Sequence, residues 1–149
     1  MNRLVVFTLD DQAYALRLAT VEHVARMVSV TPLPKAPEIV MGIVNVRGRI
    51  VPVFDIRRRF RLPAREIAVS DQLVIARTSR RAAALVADAV AGVRAYPEEV
   101  VVEAKSVLPG VEYVEGVVKL ADGLILIHDL DKFLSLEEGE SLDRALPAA

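Results

Sequence analysis

Any chemistry in this chain would have to come from a short set of side chains. The two histidines, His23 and His128, lie far apart, and neither forms a His-x-His or His-x-x-x-His pair that would bring two imidazoles to one metal ion. His128, Asp129 and Asp131 offer three possible ligands, but adjacent strand residues face opposite ways, so a partly exposed histidine at a strand end is expected. The chain has no cysteine, which excludes thiolate metal sites and disulfides and agrees with a reducing compartment. Gly-x-Ser-x-Gly and Ser-x-x-Lys are also absent, so no activated nucleophile is set up. Gly42 and Gly48 are wrongly spaced for a phosphate loop, and Arg49 stands where such a loop would end in Lys-Ser/Thr. Neither a metal, a cofactor nor catalysis is expected.

The charged side chains point to recognition instead. Arg57, Arg58, Arg59, Arg61 and Arg65 make a basic cluster that would suit an anionic ligand, and a solvated face with a few salt bridges explains it at least as well. Single-stranded nucleic acid would need aromatic platforms among the arginines, and only Phe60 is there. Asp10 and Asp11 sit together where turn chemistry accounts for them. Asp88 interrupts an apolar run, so its carboxylate must be hydrogen-bonded or at an edge. Arg47 ends an apolar strand, with its stem free to lie on apolar surface and its planar head offering several donors. Two readings of Arg47 stand: it caps an internal acid such as Glu22 or Asp88, or it anchors a partner.

These side chains must be placed by strands. "RLVVFTL" and "QAYALRL" flank Asp10-Asp11, which predicts a hairpin with Tyr14, Leu16 and Leu18 on one face. Residues 20–30 read as a turn leading into a strand, and the three prolines at 32, 34 and 37 make a rigid loop. "GIVNV" and "RIVPVF" are strands joined at Arg47-Gly48, where glycine takes a positive φ without steric cost. Pro52 has no N–H to give a ladder, so its strand is expected at an edge or a bulge. Residues 56–60 have the spacing of a helical turn. "DQLVIAR", "RAAALVA" and "DAVAGVRAY" follow as strands, then a loop from Pro97 to Gly110 with room for one helical turn. A last hairpin turns at Ala121-Asp122-Gly123, and an acidic amphipathic tail is expected to be helical up to Gly139 and then to pack or fray.

Composition agrees with a small β protein. Hydrophobic residues are 53% but aromatics only 5%, so the apolar content is aliphatic and favours strands over stacking surfaces. At 149 residues the chain can bury a core without staples. The N-terminal apolar run is too short for a signal peptide and no run approaches a membrane span, so a soluble, cytoplasmic protein is expected, with no direct membrane insertion. The net charge of −1 hides an asymmetry: residues 1–95 carry 15 basic against 8 acidic side chains, and residues 96–149 carry 4 against 12. One part can therefore attract an acidic partner and the other repel it.

The stretch "GIVNVRGRIVPVFDIRRRF", residues 42–60, resembles the signature of CheW-type coupling proteins, an apolar strand ending Asn-x-Arg-Gly before a strand with Pro-Val-x-Asp. "LVVFTLDDQAYAL", "LATVEHV", "LVADAVAGV" and "GLILIHDLDKFL" match in the same order, so the resemblance runs from about Arg3 to Leu136. It implies a mainly β fold of two intertwined five-stranded SH3-like β-barrels with a hydrophobic groove between them, a few short helices and a C-terminal helix. The domain would span residues 1–149 as two barrel subdomains, with 137–149 as an acidic C-terminal tail.

The implied role is that of a non-catalytic adaptor coupling chemoreceptor cytoplasmic tips to the regulatory domain of a CheA-type histidine kinase at membrane receptor arrays. Receptor contact in the family maps onto Val21, Gly42 and Arg47, with Gly42 leaving room for another backbone. Kinase contact is placed at Ile50 and Val53 because Pro52 argues for a free strand edge. The family often has an acid two positions after Val21, where this chain has His23, and a glycine where it has Ala84. Phosphotransfer, ATP-binding and receiver segments find no room, so a free-standing adaptor is expected, in flagellar chemotaxis or in a pathway controlling pili or gene expression. A small-barrel nucleic-acid-binding protein and an enzyme of unrecognised type are the competing classes.

Overall fold

The computed structural model describes residues 1–103 and 113–147. Val, Leu and Ala runs broken by short polar pairs give eleven strands in two sheets. The first strand, β1 (Asn2–Leu9), turns at Asp10-Asp11 into β2 (Gln12–Arg17). Both aspartates are left-handed, φ 48° and 67°, the geometry that matches a two-residue turn to the twist of its strands and that Asp tolerates. A 3-10 turn at Leu18–Thr20 then carries the chain into the second sheet. There β3 (Val21–Arg26), β4 (Val40–Val46), β5 (Arg49–Phe54), β6 (Gln72–Arg77) and β7 (Ala82–Ala87) lie in the order β3-β6-β7-β5-β4.

The chain returns to the first sheet at Asp88. The strands β8 (Ala89–Tyr96), β9 (Val101–Glu103), β10 (Val114–Leu120) and β11 (Gly123–His128) complete the order β8-β1-β2-β11-β10-β9. Only Pro97 and a 3-10 turn, Glu98–Val100, separate β8 from β9, so the two edges of this sheet are halves of one bent run, and six strands stand where five were expected. Two crossings between sheets make the halves interdependent, as the intertwined arrangement implied. The expected loop from Pro97 to Gly110 is thus a turn and a short strand as far as Glu103, and the rest of it lies outside the described residues.

The space between the sheets is filled. Phe7, Leu9, Tyr14 and Leu16 from the first sheet meet Phe54, Val74, Ala76 and Leu85 from the second, with Ile56, Leu130, Phe133 and Leu142 closing the rim. Each fully buried side chain of this size contributes roughly 1.5–3 kcal/mol. The chain's own side chains pack the space between the sheets, so the hydrophobic groove that the resemblance implies would run along the rim of this core. A smaller core of Val44, Val46, Val51, Val53, Leu73, Ile75 and Ala84 sits within the second sheet.

The acidic tail is not a fraying end. A helix, α2 (Leu136–Ala145), runs through Gly139 instead of stopping there. Ser135 caps it and Glu138 returns the bond to the Ser135 amide, a capping box that outweighs the roughly 1 kcal/mol cost of an interior glycine. Leu142 is fully buried, and the Arg80 guanidinium lies 3.7 Å from where a Cβ on Gly139 would be, an ordinary contact distance that puts this turn of the helix beside the β6–β7 turn. Arg59 donates to Glu138 at 2.7 Å, Arg81 to Asp143, and the Ser79 amide to Asp131 at 2.8 Å. The basic and acidic parts of the sequence are thus in good measure paired with each other.

Candidate functional site

The β4–β5 hairpin carries the most specific sequence signal. Arg47 and Gly48 turn it with φ 54° and 81°, and the Gly48 amide donates to Asn45 Oδ1 at 2.9 Å, which is why Asn precedes the turn by two residues. Arg47 is exposed, and among the described residues no acid is bonded to it. It caps neither Glu22 nor Asp88. Glu22 is taken by Arg49, whose Nη1 and Nη2 reach its two carboxylate oxygens at 2.6 and 3.1 Å, with Arg77 at 4.0 Å. The bidentate hydrogen bond from Arg49 holds the Glu22 carboxyl below its ordinary range. Sequence reasoning placed this pair one arginine away, because it did not foresee that β3 is bulged: Val21 faces Ala76 and His23 faces Ile75, which leaves Glu22 as the extra residue.

Val21 opens β3, half-buried against the inter-sheet core. Gly42 lies further along β4 from Arg47 and is buried. A Cβ there would stand 2.3 Å from the Thr31 carbonyl oxygen. The backbone that Gly42 admits is therefore the chain's own, correcting the expectation of room for a partner: Thr31 and Ile43 exchange two 2.8 Å hydrogen bonds in a single bridge that ties the segment leaving β3 to β4. Val21 and the Arg47–Arg49 turn are brought together through the Glu22–Arg49 pair; Gly42 supports the strand from behind.

For the second surface, Ile50 is 48% exposed whereas Val53 is 0% exposed. The placement of Val53 at a contact surface is corrected, since its side chain is part of the inner core. Pro52 accounts for the difference. The strand β5 lies between β4 and β7, so it is not an outer strand, yet its ladder with β7 covers only Val53 and Phe54, and Arg49–Pro52 pair on one side alone. Proline falls just before the two-sided part begins.

The basic cluster is mostly an internal brace. Arg57, from α1 (Ile56–Arg59), donates through Nη2 to Asp10 Oδ1 at 2.8 Å and to both Asp88 oxygens at 2.9 Å. Arg65 takes Asp71 with both nitrogens, at 3.0 and 2.8 Å, and also reaches Asp88. The Asp10 amide donates to Asp88 Oδ2 at 2.9 Å. Burial pushes the Asp88 carboxyl up, but the Asp10 amide and the two guanidiniums outweigh it and hold it at about 2. Asp88 thus ties the turn of the first sheet to α1 and its following loop at the point where the chain changes sheets. Arg58 holds Glu38, so four of the five arginines are engaged by the chain's own acids. Beneath the loop lies a cleft of about 280 Å³ floored by Met41, Ile56, Leu62, Ile67 and Val86.

His128 departs from expectation. It is buried, not partly exposed, between the Phe60 ring at 5.1 Å and the Phe133 ring at 5.3 Å, and neither ring nitrogen has a hydrogen-bond partner. Burial, reinforced by the Arg59 guanidinium, pushes it down to about 3. It stays neutral and does no acid–base work near neutrality. Among the described residues no group of three or more His, Asp or Glu is placed to hold a metal ion, and no helix is long and apolar enough to cross a membrane.

Comparison with known proteins agrees with this arrangement. A family model described as a CheW-like domain matches residues 3–138. The chemotaxis protein CheW of Treponema pallidum is 29% identical, covering 94% of this chain and 86% of its own length. That of Rhizobium meliloti is 26% identical, with 94% and 92% covered. The crystal structure of the scaffolding protein TtCheW from Thermoanaerobacter tengcongensis shares the fold with a TM-score of 0.82 at 31% identity, covering 92% of this chain and 94% of that one. The chain, a two-sheet body that shares this fold and is matched by the family model along nearly its whole length, belongs to the CheW-like domain family of chemotaxis scaffold proteins.

Proposed function

We propose that this scaffold is a non-catalytic adaptor that couples the cytoplasmic tips of chemoreceptors to the regulatory domain of a CheA-type histidine kinase, and that it is recruited to receptor arrays for that purpose. The observation that carries the reading is Arg47. It is an exposed guanidinium with no bonded acid among the described residues, on a turn fixed by the Asn45–Gly48 hydrogen bond, while Arg49, Arg57 and Arg65 are engaged by the chain's own acids. Val21, half-buried against the inter-sheet core next to the Glu22 that Arg49 holds, supplies apolar contact. Gly42 serves the receptor surface indirectly, by keeping β4 in place against Thr31. The kinase surface is assigned to the one-sided stretch of β5 around Ile50, without Val53.

The test is binding of the purified chain to a receptor-tip helical hairpin and to a CheA-type regulatory domain from the same cell, each measured separately. Both should bind. Arg47→Glu should weaken the receptor hairpin by roughly thirtyfold, about 2 kcal/mol, the cost of losing an anchor residue, and leave kinase-domain binding and thermal stability unchanged. Full receptor binding by a folded Arg47→Glu protein removes Arg47 from the site. Binding of the wild type to neither partner removes the coupling role.

A further inference from the structure

Three guanidiniums converge on one end of the five-stranded sheet, and they are not equivalent. Arg49 and Arg77 both approach Glu22, Arg49 as a bidentate fork at 2.6 and 3.1 Å and Arg77 at 4.0 Å, whereas Arg47 extends from the turn without a bonded acid. The pair is accessible, with the Arg49 and Glu22 side chains 45% and 27% exposed. Exposed ion pairs contribute little to stability, so a bulge that spends a β3 position on aiming a carboxylate across to another strand pair needs a different account. The bulge delivers one negative charge to Arg49 and Arg77 and engages the fork that stands two residues beyond Arg47.

We propose that Glu22, aimed by its bulge at the Arg47–Arg49 turn, is a specificity-determining residue of the receptor-docking surface. It occupies Arg49 and leaves Arg47, of the three guanidiniums, as the one open to a carboxylate on the partner. The inference rests on the receptor reading given above and deepens it by naming the partner chemistry: a helical surface presenting a single acidic side chain beside an apolar one. With Glu22 in place, a second partner carboxylate would meet an arginine already bonded to a carboxylate through Nη1 and Nη2, and a like charge next to it. Without Glu22, the same end of the sheet would present three uncompensated cations and would favour any acidic surface.

Charge and structure can be separated because the two halves of the pair predict opposite signs. Glu22→Gln should bind the receptor-tip hairpin about fivefold more tightly at low salt, and a hairpin variant with one added acidic residue more tightly still, near the upper range for an exposed ion pair. Arg49→Gln removes the fork and leaves the Glu22 charge uncompensated by it beside the docking surface, so it should weaken binding by a similar factor. The double variant should return to near the wild-type value, and the differences should shrink below twofold at 0.5 M salt. Labelled hairpins titrated with each variant, with melting temperatures measured in parallel, read all of these.

Changes of the same sign in both single variants, or of less than twofold in both at low salt, would overturn the role of Glu22. Arg47→Glu is the control that keeps the two claims apart. If it abolishes binding while Glu22→Gln does nothing, the inference fails and the receptor reading survives; if Arg47→Glu binds normally, the receptor reading fails and takes the inference with it.

Discussion

Acid should unfold this protein through His128 before it touches the surface ion pairs. The imidazole is buried against Phe60 and Phe133 with both nitrogens unpartnered, and its folded value lies at about 3 against an ordinary 6.5. The direction follows from which state takes up the proton. Below about pH 6.5 the unfolded chain protonates this histidine and the folded one does not, so stability present at neutral pH is lost progressively as pH falls, until the folded value is reached. The full gap of about three and a half units is worth about 5 kcal/mol, and the part crossed between pH 7.5 and 4.5 about 3 kcal/mol, a large share of the stability of a domain this size. His128→Leu keeps a similar volume, removes two unsatisfied buried nitrogens and deletes the titration. Urea unfolding of both proteins at half-unit steps should show the variant no less stable at pH 7.5 and about 3 kcal/mol ahead of the wild type at pH 4.5 beyond any neutral-pH difference. Parallel stability profiles for the two proteins would refute the argument, because they would mean that the ring is reached by water or by a proton acceptor.

Asp88 titrates in a lower window. With its carboxyl held at about 2 by the Asp10 amide, Arg57 and Arg65, it contributes stability that is present above its ordinary value of 3.8 and lost as pH falls through 2; because the group is partly exposed, about 1–2 kcal/mol is expected, and Asp88→Asn should flatten the stability profile between pH 4 and 2 while lowering the melting temperature at pH 7 by several degrees. Gly42→Ala forces a Cβ to 2.3 Å from the Thr31 carbonyl oxygen, so it should cost about 2 kcal/mol or more and speed hydrogen exchange at the Thr31 and Ile43 amides specifically. Unchanged exchange there would mean that β4 relaxes without releasing the bridge.

Much of this protein is local and therefore readable from residue order. Asp10-Asp11 and Arg47-Gly48 announce two-residue turns because only certain residues accept the left-handed backbone that such turns demand, and the aliphatic runs on either side become strands because their own alternation decides which face is apolar. The match of "NVRG" and "PVFD" to a known signature likewise needs only linear order. The failures have a common physical origin in contacts between positions distant in the chain. The Gly139 stop was overridden by the burial of Leu142 in the inter-sheet core, the polar look of His128 by aromatic rings that include Phe60, and the one-sided exposure of Ile50 but not Val53 by where a parallel neighbour happens to begin.

By itself, then, the order of residues determined a mainly β chain without cysteine and with one arginine marked out at a hairpin turn, since those properties depend on neighbours a few bonds away. Only the tertiary structure decided which charges remain available. Whether a guanidinium is free depends on what carboxylate the fold carries within about 3 Å of it, and Glu22 for Arg49, Asp88 for Arg57 and Glu138 for Arg59 arrive from 27, 31 and 79 residues away.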